Sequence, residues 1–471
     1  MSKKKLAHSE YLIGIKKTAR TLVDALTREW GYASLLCVDA EGKSYRQESA
    51  GASISDEPLY CSRGFVLRVV ARGSVVEHSF SSLCEKDIDA IAATIRTLAL
   101  DMPEGDFVPS DERWEFSGES EYEIAPWEIG DAAIIDKLAE ARERALASDS
   151  RVFDALCRYS YRKYTKMFLS PNKDLTESVM WSAATVLTYV RDGERIKDSY
   201  QGFSCLGGVE VIDSLIDEGV PLSVKNATDL IGSESIPAGE YDCICSPDVT
   251  GLIVHEAFGH GVEMDMFVRD RAQARLFIGE PVASELVTMH DSACAVSQAA
   301  SYFFDDEGCE ARDTVIIKDG ILVGGISDAQ SAHRLGTLPT GNGRRESYSH
   351  KAYTRMTNTY FEAGESSIED MIASVDYGFY LEEARCGMED PKNWGIQCVV
   401  GIAREIKDGK LTGRIFSPVV LSGYVPDLLK SISMMSERTH LCGTGFCGKG
   451  YKEWVKVSDG GPAIKARIKL S

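Results

Sequence analysis

The stretch RVFDALCRYSYRKYTKMFLSPNKDLTESVMWSAATVLTYVRDG, residues 151–193, gives the clearest indication of the fold class. Apolar and polar residues alternate over 151–168 and again over 177–190, which predicts two long strands. Turn-forming residues follow each strand, at 170–172 and at 191–193. Because connections this short belong to hairpins, we expect antiparallel pairing rather than parallel βαβ units.

The residues before this stretch indicate a helix, several strands and further helices. Apolar residues at a spacing of three and four predict an amphipathic helix that ends near Gly31. Strands are predicted at 33–38, 44–47, 64–70 and 75–80, with a turn at Glu41-Gly42, and helices at 88–98 and 134–146. Residues 101–130 hold ten acidic residues, one basic residue and three prolines, so we predict a linker there.

These patterns predict an α+β protein of three domains. An N-terminal α/β domain, residues 1–105, forms an α-β-α unit. A central domain, residues 106–233, is rich in β-hairpins and has the acidic linker at its start. The last domain, residues 234–471, is β-rich.

The charge balance excludes two classes of partner. Lys and Arg number 52 and Asp and Glu number 72, a net charge of −20, whereas duplex DNA and anionic membranes attract basic surfaces. The sequence has no run of 18 apolar residues, so we predict no membrane-spanning helix. The residues after Lys3-Lys4-Lys5 do not have the pattern of a signal peptide. The thirteen cysteines are scattered and odd in number, which favours reduced thiols. We therefore expect a cytoplasmic protein without nucleic-acid or membrane partners.

The segment SPDVTGLIVHEAFGHGVE, residues 246–263, predicts a buried helix with metal-binding side chains. It contains an HExxxH motif formed by His255, Glu256 and His260. In a regular α-helix a spacing of five places the two imidazoles about 140° apart, too far for one zinc ion. A π-bulge would bring them onto one face, and Gly259 and Gly261 make this backbone easy to deform. We therefore predict a distortion in this helix.

A catalytic zinc takes three protein ligands and keeps one open position. Glu256 is placed to accept a proton from water on the metal rather than to bind the metal. The third ligand could be Glu263, one turn past His260, or a distant Asp or Cys. The C-terminal loop CGTGFCGKG, residues 442–450, offers Cys442 and Cys447. The alternative to a metal site is two buried histidines, each bonded to a backbone carbonyl.

Residues 255–265, HEAFGHGVEMD, resemble the signature of the TldD subunit in the TldD/PmbA (TldD/TldE) metalloprotease family. Further motifs follow in the family's order: PAGEYD (237–242), GEPVASE (279–285), FDDEG (304–308), PTGNGRR (339–345), RMTNT (355–359) and CGKG (447–450). The resemblance is therefore strongest in the last domain.

The resemblance implies a zinc-dependent peptidase that hydrolyses short or unfolded peptides. The zinc ligands would be His255, His260 and Cys447, and Glu256 would be the catalytic base that activates zinc-bound water. The family also implies a dimer that encloses the site, with a PmbA/TldE-like partner subunit or a second copy of the chain. Two alternatives from other classes are a non-catalytic peptide-binding or scaffolding subunit with a structural zinc, and the modulator of DNA gyrase of the family's older label.

Other charged residues are weaker candidates. Arg344, Arg345 and Arg355 could grip a substrate carboxylate, because guanidinium binds it bidentately, or could form structural ion pairs. Glu263 could also orient a metal-bound histidine, against the alternative of a carboxylate on the helix surface. The acidic residues 305–307 could form a metal loop, but we expect a solvated turn.

Overall fold

The computed structural model describes residues 3–56, 61–450 and 453–471. Helices account for 27% and strands for 41% of the structure, and the C-terminal region is rich in strands, so the α+β prediction is confirmed. No helix within these ranges is both long enough and apolar enough to cross a membrane.

Within the described residues, the largest sheet has eight strands and runs through the first half of the chain. Its main path, in spatial order, is Arg195–Cys205, Lys173–Asp192, Val152–Leu169, Ala33–Glu48, Ser62–Ala71 and Ser74–Phe80. Neighbours along this path pair antiparallel, as predicted for the central hairpin. Gly51–Ser55 and Trp114–Glu119 are the additional strands.

Helices pack on this sheet and bury an apolar face against it. The helix Glu10–Trp30 begins after its N-cap Ser9 and ends at Gly31, whose φ of 78° suits glycine. The other long helices of this half are Ile88–Leu100, Pro126–Ser148 and Val220–Leu230, and a short helix, Val211–Ser214, leads through a π-helical turn into the last of these. The predicted helices at 88–98 and 134–146 are therefore confirmed, with longer bounds.

Two local predictions in this half are wrong. The strand Ala33–Glu48 continues through the expected turn at Glu41-Gly42, because both residues pair with Val152–Leu169. The expected linker contains the strand Trp114–Glu119, which pairs parallel to Lys173–Asp192, and the helix that starts at Pro126. In both cases a long neighbouring strand provides backbone partners that a local sequence pattern does not reveal. The expected boundary between residues 105 and 106 lies between strands of this one sheet.

The C-terminal half contains two further sheets. In the first, the strands Gly239–Cys245, Tyr377–Asp390, Gly395–Lys407, Val419–Tyr424 and Ile464–Leu470 pair in that order, and the last returns to the first, which closes a ring. Lys410–Phe416 and Met434–Met435 extend it. The second sheet has the spatial order Ile321–Leu322, Asp313–Lys318, Met289–Ser292, Asn358–Phe361, Ser458–Gly461 and His440–Cys442. The division at residue 234 stays a prediction.

Short helices and strand pairs complete this half. The helices are Pro247–Ile253, Met264–Val268, Ala329–Leu335, Ile368–Ala373 and Val425–Lys430. The strand pairs are Gly343–Arg344 with Tyr353–Thr354 and Phe446–Cys447 with Val455–Lys456, and Lys4–Lys5 pairs with Glu121–Tyr122 near the N-terminus. The helix that begins at Pro247 lies between the two C-terminal sheets, against Tyr377–Asp390 and Ser458–Gly461.

Gly251 permits this close packing. A Cβ atom at Gly251 would lie 2.7 Å from the backbone nitrogen of Gly460, closer than van der Waals contact allows. Although alanine ordinarily favours a helix over glycine, we expect Gly251→Ala to lower the free energy of unfolding by about 1–3 kcal/mol, as overpacking does. Urea denaturation would measure this change.

A matched control for this prediction is Gly14→Ala. Gly14 lies in the helix Glu10–Trp30 and has open space where a Cβ would be placed. The same substitution should therefore raise the free energy of unfolding by about 0.5–1 kcal/mol. Two changes of the same sign would contradict the proposed contact at Gly251.

Candidate metal centre

The helix that carries the histidine motif is distorted at the predicted place. Its first part, Pro247–Ile253, is α-helical, Val254–Gly259 is π-helical and His260–Val262 is a 3₁₀ turn. The backbone N–H of His260 donates to the carbonyl of His255, five residues earlier. The predicted distortion is therefore confirmed, and it turns two imidazoles at a spacing of five toward the same side.

The distortion brings three predicted ligands together. The Nε2 atoms of His255 and His260 lie 3.2 and 3.3 Å from Sγ of Cys447. The two imidazole centroids are 5.1 Å apart, and their planes meet at 84°. Cys447 is brought to the helix by the short strand Phe446–Cys447, almost 190 residues further along the chain. Cys442 lies elsewhere in this loop and donates to the carbonyl of Gly202.

The donor set fits a zinc ion. Two imidazole nitrogens and one thiolate sulfur are typical zinc ligands, and two atoms that bind one tetrahedral zinc lie about 3.5 Å apart. Within the described residues, this is the one group of three or more His, Cys, Asp or Glu side chains with donor atoms so close, all within 4.8 Å. The Nε2 atom of His255 is the ring nitrogen that faces the cluster. Its Nδ1 atom is buried and has no hydrogen-bond partner among the described residues.

The charges of the cluster favour a deprotonated Cys447. Burial raises the pKa of the Cys447 thiol, but the two imidazoles outweigh burial and hold this pKa well below its usual value. Burial lowers the pKa of both histidines, and the charge of Cys447 more than reverses this, so both pKa values are raised. The lowered pKa of Cys447 favours the thiolate, the form in which cysteine binds zinc. The raised pKa values of the histidines favour imidazolium, so metal binding releases protons from the rings.

Glu263 contacts His260 on the side of the ring away from Cys447. Its Oε2 lies 3.5 Å from Nδ1 of His260, on the ring edge opposite the sulfur. Burial raises the pKa of this carboxyl, but the charges of Lys449 and Arg355 and the bond with His260 hold it far below its usual value. Glu263 is only 2% exposed. The geometry therefore matches a buried carboxylate that orients His260, rather than a residue on the helix surface.

Arg355 and Lys449 connect the C-terminal loop to the helix. Arg355 is fully buried and donates to Oε1 of Glu263 at 3.1 Å, and to both the carbonyl and the sulfur of Cys447 at 3.0 Å. Lys449 donates to Oε2 of Glu263 at 2.9 Å and to Asp265 at 2.8 Å. Arg355 thus contacts the cysteine directly, and its charge stabilises the thiolate.

Two acidic residues near the cluster were not found by sequence reasoning. Glu389, on the strand Tyr377–Asp390, faces the backbone N–H of Gly261, and burial, together with the charge of Glu256, raises its pKa well above normal. Burial also raises the pKa of Asp459 to about 6, while His255 lowers it. Both residues lie more than 120 residues from the motif, so no local pattern connects them with it.

Glu256 lies one residue from His255 and is partly buried. Its Cγ packs against Gly387, where a Cβ atom would approach it to 2.6 Å. Glu256 is not among the three clustered donors. It therefore remains available for a role other than metal binding.

The acidic residues 305–307 are part of a buried ion-pair network, so the expectation of a solvated turn is wrong. Lys166 lies 3.1 Å from Asp306, and Arg68 lies 2.6 Å from Glu307. Both basic residues come from the N-terminal sheet, which covers the turn. Neither basic residue is adjacent in sequence, so the pattern around 305–307 could not reveal them.

The three candidate substrate arginines have different surroundings. Arg345 forms an ion pair with Glu77, and Arg355 belongs to the metal cluster as described. Arg344 donates to the carbonyl of Met356 and lies over the ring of Tyr302 at 5.5 Å. Of the three, Arg344 is the one without a carboxylate partner among the residues that the structure describes.

Comparison with known proteins identifies the family to which this chain belongs. Residues 238–469 match a family profile described as the PmbA/TldA metallopeptidase C-terminal domain. A metalloprotease of Methanothermobacter thermautotrophicus is 30% identical over 336 residues, which cover 69% of this chain and 73% of that protein. A metalloprotease TldD homolog of Haemophilus influenzae is 36% identical over 52% of this chain and 50% of its own length. A zinc metalloprotease TldD homolog of Saccharolobus solfataricus is 27% identical over 66% of this chain and 70% of that protein.

Solved structures share the fold. A Thermotoga maritima protein described as a candidate modulator of a DNA gyrase has a TM-score of 0.80 at 17% identity, over 97% of this chain and all of that one. TldE from Thermococcus kodakarensis has a TM-score of 0.76 at 18% identity, over 95% and 99% of the two chains. The relatives are named metalloproteases, and the donor cluster is consistent with a protein of that class. The chain belongs to the PmbA/TldD family.

Proposed function

We propose that this chain is a TldD-like, zinc-dependent peptidase that hydrolyses short or unfolded peptides. The observation that carries the proposal is the meeting of His255, His260 and Cys447 donor atoms within 4.8 Å. One relative is named a zinc metalloprotease, and the donor set suits zinc. We assign these three residues as the metal ligands.

The reaction needs a proton acceptor beside the metal, and we assign this role to Glu256. A zinc ion held by His255, His260 and Cys447 would supply a Lewis acid that polarises the peptide carbonyl and lowers the pKa of water. Glu256 accepts the proton of the attacking water and then passes it to the leaving amine.

Residues around the proposed ligands hold them in position. Glu263 fixes the ring of His260, and Arg355 holds the cysteine of the distant loop in place. These contacts around the ligands keep the imidazole orientation that metal binding requires.

We also propose a cytoplasmic dimer, formed with a TldE-like subunit or with a second copy of this chain. The match in fold to a TldE structure supports a related partner. The net charge of −20 favours neither DNA nor an anionic membrane as a partner, which also weighs against direct DNA binding by a gyrase modulator.

A chelator experiment tests the peptidase proposal. Purified protein, with and without a co-expressed TldE-like partner, is incubated with unfolded casein fragments, and products are followed by mass spectrometry. Cleavage should stop after the metal is removed with 1,10-phenanthroline and return after stoichiometric zinc is added. Cleavage that is unaffected by complete metal removal would contradict the proposal.

The same experiment separates the second candidate function, a scaffolding subunit with a structural zinc. The observation that favours this alternative is the network of Arg355 and Lys449, which ties the C-terminal loop to the helix. A structural zinc would be retained without any cleavage, and its removal would lower the melting temperature alone.

A further inference from the structure

The two histidines of the cluster differ in the surroundings of their second ring nitrogen. The Nε2 atom of each ring faces Sγ of Cys447. The Nδ1 atom of His260 lies 3.5 Å from Oε2 of Glu263. The Nδ1 atom of His255, in contrast, is buried without a hydrogen-bond partner in the part of the chain that the structure describes. One of the two rings is therefore oriented by a carboxylate, and the other still needs a partner.

Metal binding through Nε2 decides where the hydrogen of the His255 ring lies. A neutral imidazole carries one N–H group, so a ring that binds a metal through Nε2 has its hydrogen on Nδ1. A buried N–H group without an acceptor is unfavourable. Metal-bound histidines therefore almost always donate this hydrogen to a carboxylate, a backbone carbonyl or a water molecule. His255 requires such an acceptor beside its Nδ1 atom.

The helix directs the side chain of His255 toward the turn that contains Gly251. Gly251 lies four residues before His255, so the two positions are about 40° apart around the helix axis. Side chains of a helix lean toward its N-terminus and cover the preceding turn. Glycine leaves open the space that a Cβ atom would fill in this turn. A group in that space therefore lies on the face of the helix that carries His255.

The carboxylate of Asp459 occupies this space. A Cβ atom at Gly251 would lie 2.7 Å from Oδ2 of Asp459. Asp459 belongs to the strand Ser458–Gly461, which packs against the helix. Burial raises the pKa of Asp459, and the charge of His255 is the main one that lowers it. Burial lowers the pKa of His255, and the charge of Asp459, after that of Cys447, raises it. Carboxylate and imidazole thus lie close enough for their charges to interact.

Two other polar groups near this turn suit the role less well. Both oxygens of Asp248 already accept hydrogen bonds, one of them from the backbone N–H of Ala384. Oγ1 of Thr250 is buried without a partner among the described residues. Thr250, however, lies five residues before His255, which places it about 140° away around the helix. Asp459 is therefore the better acceptor for the ring of His255.

We propose that Asp459 is a positioning residue of the metal centre, whose carboxylate accepts the Nδ1 hydrogen of His255 when Nε2 binds the metal. The inference rests on the proposed zinc site and peptidase function. It gives each histidine a carboxylate of its own, since Glu263 faces His260 from the same segment of the chain and Asp459 reaches His255 from a distant strand. Contacts of this kind fix the orientation of a ligand ring and raise metal affinity.

NMR spectroscopy of the zinc-loaded protein tests this hydrogen bond directly. In protein labelled with nitrogen-15 at histidine, the rings of His255 and His260 should each give an N–H signal that depends on zinc and exchanges slowly with water. Asp459→Asn should shift one of these signals and leave the other in place, because a hydrogen bond to a charged acceptor is stronger than one to an amide. Glu263→Gln should shift the other signal.

Zinc affinity, measured by competition with a chromophoric chelator, gives a second readout. Asp459→Ala should weaken zinc binding about tenfold to a hundredfold, as the loss of a contact that orients a ligand does. Asp459→Asn keeps an oxygen that accepts the hydrogen, so its affinity should fall less. The control is Asp376→Asn, which makes the same chemical change at an exposed position of the same half of the chain. Its zinc affinity should equal that of the wild type.

The outcomes separate this inference from the function on which it rests. Unchanged zinc affinity and unchanged imidazole signals in both Asp459 variants, together with zinc-dependent cleavage by the wild type, would overturn the role of Asp459 and leave the peptidase proposal standing. Weakened affinity and one shifted signal, without cleavage by the wild type, would support the role and overturn the peptidase proposal.

Thermal melting of the metal-free proteins distinguishes a positioning role from a structural one. We expect metal-free Asp459→Ala to melt at the wild-type temperature, because the proposed hydrogen bond forms only with the metal. A lower melting temperature of this variant, combined with the zinc affinity of the wild type, would show that Asp459 acts on the fold alone and would overturn the inference.

Discussion

Replacing Glu256 by glutamine is expected to lower kcat for peptide hydrolysis by about a hundredfold to ten-thousandfold, the usual contribution of a general base. The amide keeps the shape of the side chain but cannot accept a proton from water. Since Glu256 is not among the clustered donors, the zinc content should remain that of the wild type. Steady-state kinetics and elemental analysis of the same preparation measure both quantities.

The control for this variant is Glu285→Gln, at an exposed position of the same half of the chain. It makes the same chemical change away from the cluster and should leave kcat unchanged. A Glu256→Gln protein that retains kcat within threefold of the wild type, with full zinc, would show that another group accepts the proton.

Replacing Cys447 by serine should weaken zinc binding more than about a hundredfold. Loss of a contact that only orients a ligand already costs ten- to a hundredfold in metal affinity, and this variant removes a proposed ligand itself. A serine hydroxyl does not supply the thiolate that the two imidazoles and Arg355 stabilise in the wild type. Competition with a chromophoric chelator gives the affinity.

Cys442→Ser is the matched control, because Cys442 lies in the same loop and its sulfur donates to a backbone carbonyl instead. Zinc affinity should be unchanged in this variant. If Cys442→Ser lost the metal and Cys447→Ser kept it, the assignment of the third ligand would be wrong.

The part of the site that sequence alone could predict is the helix. A spacing of five between His255 and His260 requires an extra residue in one turn, and the π-helical segment Val254–Gly259 provides it. Sequence alone could not identify the third donor. Residue spacing left Glu263, a distant Asp and the cysteines as candidates, and only the family resemblance indicated Cys447. The reason is distance along the chain, because a strand pair near the C-terminus determines where that sulfur lies.

The features that the sequence did not reveal depend on packing between distant segments. Glu389 and Asp459 reach the cluster from strands of two different sheets, and Lys166 and Arg68 neutralise an acidic turn from the other half of the chain. The missed continuation of the strand Ala33–Glu48 has the same origin, since its partner strand continues past the expected turn. Local patterns predicted the helices and hairpins well, and contacts between them poorly.

The most direct test of the metal centre is the zinc K-edge X-ray absorption spectrum of the wild-type protein. We expect one zinc per chain with one sulfur at about 2.3 Å and two imidazole nitrogens at about 2.0–2.1 Å. The sulfur contribution should disappear in zinc-reconstituted Cys447→Ser protein. A wild-type spectrum with nitrogen and oxygen ligands and no sulfur would contradict the convergence of His255, His260 and Cys447 on one ion.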